Sequence, residues 1–217
     1  MISTGCFRMS ILANRRSIMT LYAAPSEPIG HSVRIVLAEK DINFDISYVD
    51  PDNPPEDLRD LNPYNSAVTL IDRELVIYDP QIIMEYLDER FPHPPLMPVD
   101  PVTRANNRQL RVRLMLDLYG LVEDLKSEND IAAANARKAF KDNLTAVAAV
   151  FARNEYFLSE EFSLLDCCLA PLLWRLGYYG VKLPLQAKPI TQYGERVFSR
   201  PAFRASLSPQ ERELADP

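Results

Sequence analysis

The sequence contains few histidines and cysteines, the residues that most often bind zinc or, in the case of cysteine, form disulfides. Of its 217 residues, three are cysteine and two are histidine. The histidines, His31 and His93, and the cysteines, Cys6, Cys167 and Cys168, form no Cys-x-x-Cys or His-Glu-x-x-His spacing, so no metal site is predicted. A disulfide framework is excluded as well, and so few cysteines are typical of a reducing cytoplasm. The adjacent Cys167 and Cys168 lie in an apolar run and are predicted to be buried.

Long apolar runs and an excess of positive charge are also missing. The longest uninterrupted apolar run, 167–174, contains Pro171 and is far shorter than the ~20 residues of a membrane-spanning helix. With 24 basic and 30 acidic residues, the formal net charge is −6, which disfavours direct binding to nucleic acid or to an anionic membrane. A role near nucleic acid would therefore need another protein as intermediary. Residues 1–16 have no apolar core of signal-peptide length, and we predict that they are a disordered N-terminal extension of a cytoplasmic protein.

Residues 17–91 alternate between the periods of strands and helices. Phe44, Ile46 and Tyr48 alternate with polar residues, as in a half-buried strand, whereas positions 33, 36, 37 and 40 follow helical spacing. Asp79-Pro80 has the form of a helix N-cap followed by proline at the first helical position, and positions 82, 83, 86 and 87 form the buried stripe of that helix. The predicted order is β-α-β-α-β-β-α, with a parallel first pair and an antiparallel hairpin. This is the order of a thioredoxin-like domain.

The chain changes character after residue 91. Five prolines lie between Pro92 and Pro101, so residues 92–102 are predicted to be a stiff, extended connector. Residues 103–217 then show helical spacing, with apolar stripes over 110–125 and 140–151. A capping box, Ser163-x-x-Asp166, opens an apolar helix, and positions 208–211 start a last, mostly polar turn. The predicted fold class is α/β plus all-α, with the thioredoxin-like domain followed by a helical bundle domain.

These features together resemble the glutathione transferase superfamily over residues 17–207. Within it, the runs 33–40, 52–55, 82–98 and 170–176 are similar to a bacterial branch that associates with RNA polymerase. The resemblance implies that Pro92, His93 and Pro94 line an exposed pocket that binds RNA polymerase holoenzyme and its primary sigma factor. It also implies a homodimer. Asp100 stands where other members have a tyrosine, which implies a more polar pocket. From the residues alone, a plain domain spacer with a solvent-exposed histidine is favoured over a binding role.

Three positions decide whether a glutathione site is retained. The superfamily places Ser, Tyr or Cys after the first strand, and the Cys-type position here holds Glu27, whose carboxylate would repel a thiolate. Val68 stands where the superfamily has a cis-proline, and a trans bond is predicted because a cis bond before a non-proline residue costs about 2.5–4 kcal/mol. Pro80 replaces a serine at a helix N-terminus that binds the γ-glutamyl group. No catalytic residue and no cofactor are predicted.

The sequence thus predicts a non-enzymatic transcription regulator that contacts RNA polymerase holoenzyme under starvation or acid stress. One alternative is a glutathione-dependent transferase or thiol reductase that uses the hydroxyl of Ser26 or Tyr22. Another is a dimeric scaffold for a different partner. His31, on the first turn of the first helix, is predicted to be structural or superficial. The acidic pairs at 88–89 and 160–161 are predicted to be solvated, and Trp174 is predicted to lie in the core.

Overall fold

A computed structural model describes residues 18–64 and 66–214. An α/β domain precedes a domain built from helices, and the predicted fold class is confirmed. The N-terminal extension predicted over 1–16 lies outside the described residues. Within the described ranges, no helix is long and apolar enough to cross a membrane.

The N-terminal domain contains a mixed four-stranded sheet in the order β2-β1-β3-β4. The strands are β1 (Met19–Ala23), β2 (Phe44–Tyr48), β3 (Thr69–Asp72) and β4 (Leu75–Ile77). β1 pairs parallel with β2 and antiparallel with β3, which pairs antiparallel with β4. The predicted thioredoxin-like arrangement is therefore confirmed, since a crossover helix joins the parallel pair.

Helices pack on both faces of this sheet. They are α1 (Pro28–Glu39), α2 (Glu56–Leu61) and α3 (Pro80–Arg90). Leu21 of β1 lies in the main core with α1 and α3, whereas Tyr22 packs with Leu58 of α2, because successive strand side chains point to opposite faces. The predicted cap of α3 is present, since the Asp79 carboxylate accepts from the N–H groups of the second and third helical residues at 2.8 and 3.1 Å.

The first helix after the connector begins inside the predicted 92–102 segment. α4 spans Pro101–Asp117. The carboxylate of Asp100 accepts from the N–H and the hydroxyl of Thr103, both at 2.8 Å, and Pro101 occupies a position whose N–H has no helical partner. Asp100 therefore has a structural role as the residue that ends the connector and caps α4.

The rest of the helical domain surrounds a core shared with the N-terminal domain. Its helices are α5 (Val122–Leu125), α6 (Asp130–Ala146), α7 (Leu164–Trp174), α8 (Lys188–Ser199), α9 (Pro201–Ser206) and α10 (Pro209–Glu213). Tighter 3₁₀ turns at Tyr119–Leu121 and Ala148–Ala152 follow α4 and α6. One member of the apolar stripe predicted over 140–151 does not face the core: Val147 is 36% exposed, because α6 ends at residue 146 and the next turn changes the helical phase.

The predicted capping box at the start of α7 is present and extends into a buried network. The Asp166 carboxylate accepts from the Ser163 N–H at 2.9 Å, the Phe157 N–H at 2.9 Å and the Tyr193 hydroxyl at 2.7 Å. Burial raises the pKa of Asp166, whereas these hydrogen bonds oppose the rise. One side chain thus holds together the start of α7, the preceding loop and α8.

Two further predictions concern α7. Cys167 and Cys168 are fully buried as predicted, and burial raises the pKa of both thiols, that of Cys168 to about 11. Trp174 packs against Phe198 and Phe203, with ring centroids 4.9 and 5.2 Å apart. It remains partly exposed at the edge of the core rather than inside it, and its indole N–H donates to the Glu211 carbonyl at 2.9 Å.

Candidate functional site

The connector, residues 92–100, has one face in solvent and one in the core. Pro92, His93 and Pro94 are exposed, and the peptide bond between His93 and Pro94 is cis. Leu96 and Met97 are 2% and 8% exposed and belong to the main core. The residues implied by the resemblance therefore form a short exposed run directly before two buried anchors.

A buried ion pair holds the backbone of this run. Lys40, just after α1, places its Nζ atom 2.6 Å from Oδ1 of Asp88 in the last turn of α3. The same ammonium donates to the carbonyl oxygen of Pro94, and the N–H of Leu96 donates to Asp88 Oδ1 at 2.8 Å. Two backbone polar groups of the connector are thus satisfied from inside the protein.

The prediction that Asp88 is solvated is wrong, since it is 9% exposed, whereas its neighbour Glu89 is exposed as predicted. Helical spacing could have predicted that Asp88 is buried. Asp88 follows the buried Met84 by four residues, and residues four apart lie on the same side of a helix. Lys40 continues the buried spacing of positions 33, 36 and 37. These two spacings predict that Lys40 and Asp88 are each buried. That they form an ion pair is seen only in the fold, which brings the ends of α1 and α3 together.

Further contacts fix the second half of the connector. The Leu96 carbonyl accepts from the Leu164 N–H at 2.9 Å, and the Pro98 carbonyl accepts from Arg104 Nε at 2.9 Å. Beyond them, Val99 is 85% exposed. The connector is therefore attached to helices of both domains and presents proline rings, an imidazole and an isopropyl group to solvent.

A cleft of about 790 Å³ opens where the β1–α1 loop meets α5 and α10. Its charged lining residues are Glu27, Asp50, Asp52, Glu123 and Lys126. Lys126 Nζ lies 2.9 Å from Glu123 Oε1, so the ammonium is already paired. Burial raises the pKa of Glu27, with Lys126 lowering it and Glu123 raising it. A lining of this sign disfavours glutathione, whose carboxylates and thiolate are anionic.

The two hydroxyls considered for catalysis lie in different environments. Ser26 is exposed and lines the cleft next to the carboxylate of Glu27, which opposes the thiolate that such a serine would have to stabilise. Its carbonyl accepts from Arg175 Nε at 3.2 Å. Tyr22 is 4% exposed and packs with Val49 and Leu58 on the α2 side of the sheet. This arrangement does not favour the enzymatic alternative.

The two remaining glutathione positions are altered as well. Among the described residues, the cis peptide bond is the one before Pro94, so the bond before Val68 is trans as predicted. At the N-terminus of α3, the Asp79 carboxylate already accepts from the free N–H groups. That helix end therefore has its own anion, and Pro80 supplies neither a hydroxyl nor an N–H to a ligand.

The turn predicted to be mostly polar, α10, carries a fully buried carboxylate. Glu211 accepts from Arg34 Nη2 at 2.5 Å and from Arg175 Nη2. It also closes a reciprocal capping box with Ser208, whose hydroxyl donates to the Pro25 carbonyl at 2.6 Å. The end of the chain thus ties the loop that lines the cleft to the helical domain. The Ser-x-x-Glu spacing was a signal for the cap but not for these ion pairs.

His31 belongs to the same buried cluster and has the structural role that was predicted. Its Nε2 lies 2.9 Å from Ser206 Oγ, and its Nδ1 lies 3.3 Å from Arg175 Nη1. Burial, then the guanidinium groups of Arg175 and Arg34, hold the pKa of His31 well below its usual value. The imidazole is therefore neutral at pH 7 and accepts from Arg175 through Nδ1.

The described residues offer surfaces rather than a metal centre. Over 18–64 and 66–214, no group of three or more His, Cys, Asp or Glu side chains could hold a metal ion. The cleft contributes carboxylates, and the connector contributes an exposed imidazole between proline rings. An imidazole held in this way can form a hydrogen bond and an apolar contact with a partner.

Comparison with known families agrees with this fold. Models of the glutathione S-transferase N-terminal and C-terminal domains match residues 21–95 and 130–196. The structure is similar to that of rice GST1 in complex with glutathione, with a TM-score of 0.81, 22% identity, and coverage of 93% of this chain and 96% of that chain. The Tau class enzyme from mango matches with a TM-score of 0.78 and 21% identity over 93% and 97% of the two chains. The chain belongs to the glutathione S-transferase superfamily.

More similar relatives define its place in that superfamily. The chain is 48% identical over 200 residues to a stringent starvation protein A homolog from Pasteurella multocida (strain Pm70). The aligned region covers 92% of this chain and 94% of that protein. It is 45% identical over 203 residues to the homolog from Coxiella burnetii, with coverage of 93% and 97%. It thus falls in the stringent starvation protein A family.

Proposed function

We propose that this protein is a transcription regulator that binds RNA polymerase holoenzyme and its primary sigma factor through Pro92, His93 and Pro94, without glutathione transferase activity. The observation that carries the proposal is the exposed connector run held from inside by Lys40 and Asp88. The relatives named stringent starvation protein A homolog support the same assignment.

The connector has the physical properties of a docking surface. Proline rings have few conformations to lose, so ordering them against a partner costs little entropy. The backbone from Pro94 to Leu96 is already fixed by hydrogen bonds. A partner would therefore meet a surface that is ordered before binding.

The charge of the chain favours action through protein contact. With a net charge of −6, the protein repels the phosphates of promoter DNA, which favours action through the polymerase. The setting proposed for this action, the cytoplasm under starvation or acid stress, is carried over from the family resemblance.

We further propose a homodimer formed through α3 and α4. Ile82, predicted to be buried in α3, is instead 60% exposed, and Val112 and Leu116 of α4 are 55% and 71% exposed. The helices adjoin, since Arg108 and Glu85 form a bidentate ion pair, with Nε donating to Oε1 at 3.1 Å and Nη2 to Oε2 at 2.7 Å. Because a two-fold axis would bury such a patch against its own copy, we expect Leu116→Glu to shift the sedimentation equilibrium towards monomer. A wild-type monomer, or a Leu116→Glu dimer of unchanged affinity, would contradict this interface.

Changing Pro92, His93 and Pro94 together to alanine is expected to weaken binding to purified RNA polymerase holoenzyme by about tenfold or more, as for the loss of a central interface cluster. Binding is measured by surface capture at several protein concentrations. The matched control changes the exposed Leu185 and Gln186, together with the half-buried Pro184 before them, to alanine, and it should bind as the wild type does. Unchanged capture by the connector variant would refute the proposed surface, and a wild type that binds no polymerase would favour a scaffold for another partner.

The absence of transferase activity is tested on the same preparations. The acidic cleft, the trans bond before Val68 and the capped N-terminus of α3 predict no retention on immobilised glutathione and no conjugation above the uncatalysed rate. Specific elution by free glutathione, together with turnover, would establish the alternative enzymatic function that uses Ser26 or Tyr22.

A further inference from the structure

We propose that Lys40 and Asp88 are positioning residues of the partner-binding connector. Their buried ion pair fixes the backbone from Pro94 to Leu96. This backbone in turn fixes how the exposed run of residues 92–94 faces solvent. The inference deepens the proposed function and rests on it, because it assigns two residues outside the surface to the affinity of that surface.

Three hydrogen bonds join Lys40, Asp88 and the connector, and two of them end on the same carboxylate oxygen. Asp88 Oδ1 accepts from Lys40 Nζ at 2.6 Å and from the Leu96 N–H at 2.8 Å, while Lys40 Nζ also donates to the Pro94 carbonyl. The side chains of Lys40 and Asp88 are 0% and 10% exposed. The pair therefore sits under the connector and cannot itself be a contact surface.

Prolines make the connector unusually dependent on this pair. Pro94 and Pro95 have no N–H. The N–H of Leu96 is therefore the single amide donor of residues 94–96, and Asp88 accepts from it. Without Lys40, the Asp88 carboxylate would be buried without its cation, which is strongly unfavourable, and the Pro94 carbonyl would lose its donor. The connector would then relieve the loss by turning its polar groups towards water, and the exposed rings would lose their arrangement.

A neighbouring ion pair separates positioning from general stability. Glu39, adjacent to Lys40, pairs with Arg200 Nε at 2.7 Å and Nη2 at 2.8 Å. This pair ties the end of α1 to the residue before α9, and the third nitrogen of the guanidinium, Nη1, donates to the Tyr156 hydroxyl at 2.8 Å. Arg200→Met thus removes a partly buried cation from the same end of α1 while leaving the connector contacts in place.

The experiment compares Lys40→Met, Asp88→Asn and Arg200→Met in the full chain. Three quantities are measured: the urea midpoint of unfolding, the dissociation constant for purified RNA polymerase holoenzyme under conditions where each variant is folded, and the hydrogen-exchange rate of the Leu96 amide. Lys40→Met is expected to weaken binding about tenfold and to speed exchange at Leu96. Asp88→Asn keeps an acceptor oxygen but loses the charge, so its effect should be smaller. Arg200→Met should lower the midpoint yet bind within about twofold of the wild type.

The outcomes distinguish this inference from the proposed function. Wild-type affinity and wild-type exchange at Leu96 in Lys40→Met would overturn the positioning role, even if the triple alanine variant of the connector binds weakly. Equal losses of affinity in Lys40→Met and Arg200→Met would reduce the role to general stability. If the triple alanine variant binds as the wild type does, the proposed binding surface is refuted. Faster exchange at Leu96 in Lys40→Met would then show that the ion pair positions the connector, but that the connector does not bind the polymerase. If Lys40→Met does not fold, Asp88→Asn and its Leu96 exchange decide the question.

Discussion

Glu211→Ala is expected to lower the free energy of unfolding by about 3–5 kcal/mol, the range for breaking a buried ion pair by removing one partner. The carboxylate is fully buried and accepts from both Arg34 and Arg175. Removing it would leave two buried guanidinium groups without their anion, and within the part of the chain that the structure describes Arg34 Nη1 has no hydrogen-bond partner to compensate. Urea unfolding followed by circular dichroism measures the change.

The chain contains a matched control for this prediction. Glu213 lies two residues further along α10 and is exposed, so Glu213→Ala should change the free energy of unfolding by no more than about 0.5 kcal/mol. Glu211→Gln keeps the shape and one acceptor oxygen, and we expect a loss between those of the two alanine variants. A loss below about 1 kcal/mol for Glu211→Ala would mean that water replaces the carboxylate and that the ion pairs contribute little.

Asp166→Ala is expected to cost about 3 kcal/mol, because it removes a cap and leaves several buried donors without an acceptor. The donors are the N–H groups of Ser163 and Phe157 and the hydroxyl of Tyr193. Thermal and urea unfolding of the purified variant measure the loss.

Two further variants separate the cap from the rest of this network. Ser163→Ala removes only the reciprocal half of the capping box and should cost about 1 kcal/mol. Tyr193→Phe removes one hydroxyl donor together with its need for an acceptor, so its effect should be small. If Asp166→Ala costs no more than Ser163→Ala, the network beyond the cap has no net stabilising effect.

The fold could be predicted largely from local patterns. Asp79-Pro80 and Ser163-x-x-Asp166 predict helix starts, because a cap satisfies N–H groups within three residues of itself. Alternation from Phe44 to Tyr48 predicted β2 for a similar reason. Helix ends were less predictable. Val147 continues an apolar stripe, but the helix stops one residue earlier, and Ile82 is apolar yet exposed.

The candidate site divides in the same way. The stiff connector was predicted from its prolines, and its binding role from the resemblance alone. The loss of the glutathione site was predicted from Glu27, Val68 and Pro80. The residues that hold these places together could not be found in this way. Glu211 reaches Arg34 across 177 positions of sequence, and Lys40 reaches Asp88 across 48. Such pairs depend on how elements pack, which no local spacing contains.

The placement of α1 has a consequence for how this protein could diverge from its enzymatic relatives. One end of the helix begins at the acidic cleft and the other ends beside Lys40, and its 12 residues separate the two by ~18 Å. At physiological ionic strength that is about two screening lengths. Changes of charge in the cleft would therefore alter the electrostatic environment of the connector little, so the cleft and the proposed partner-binding run are free to change independently of each other.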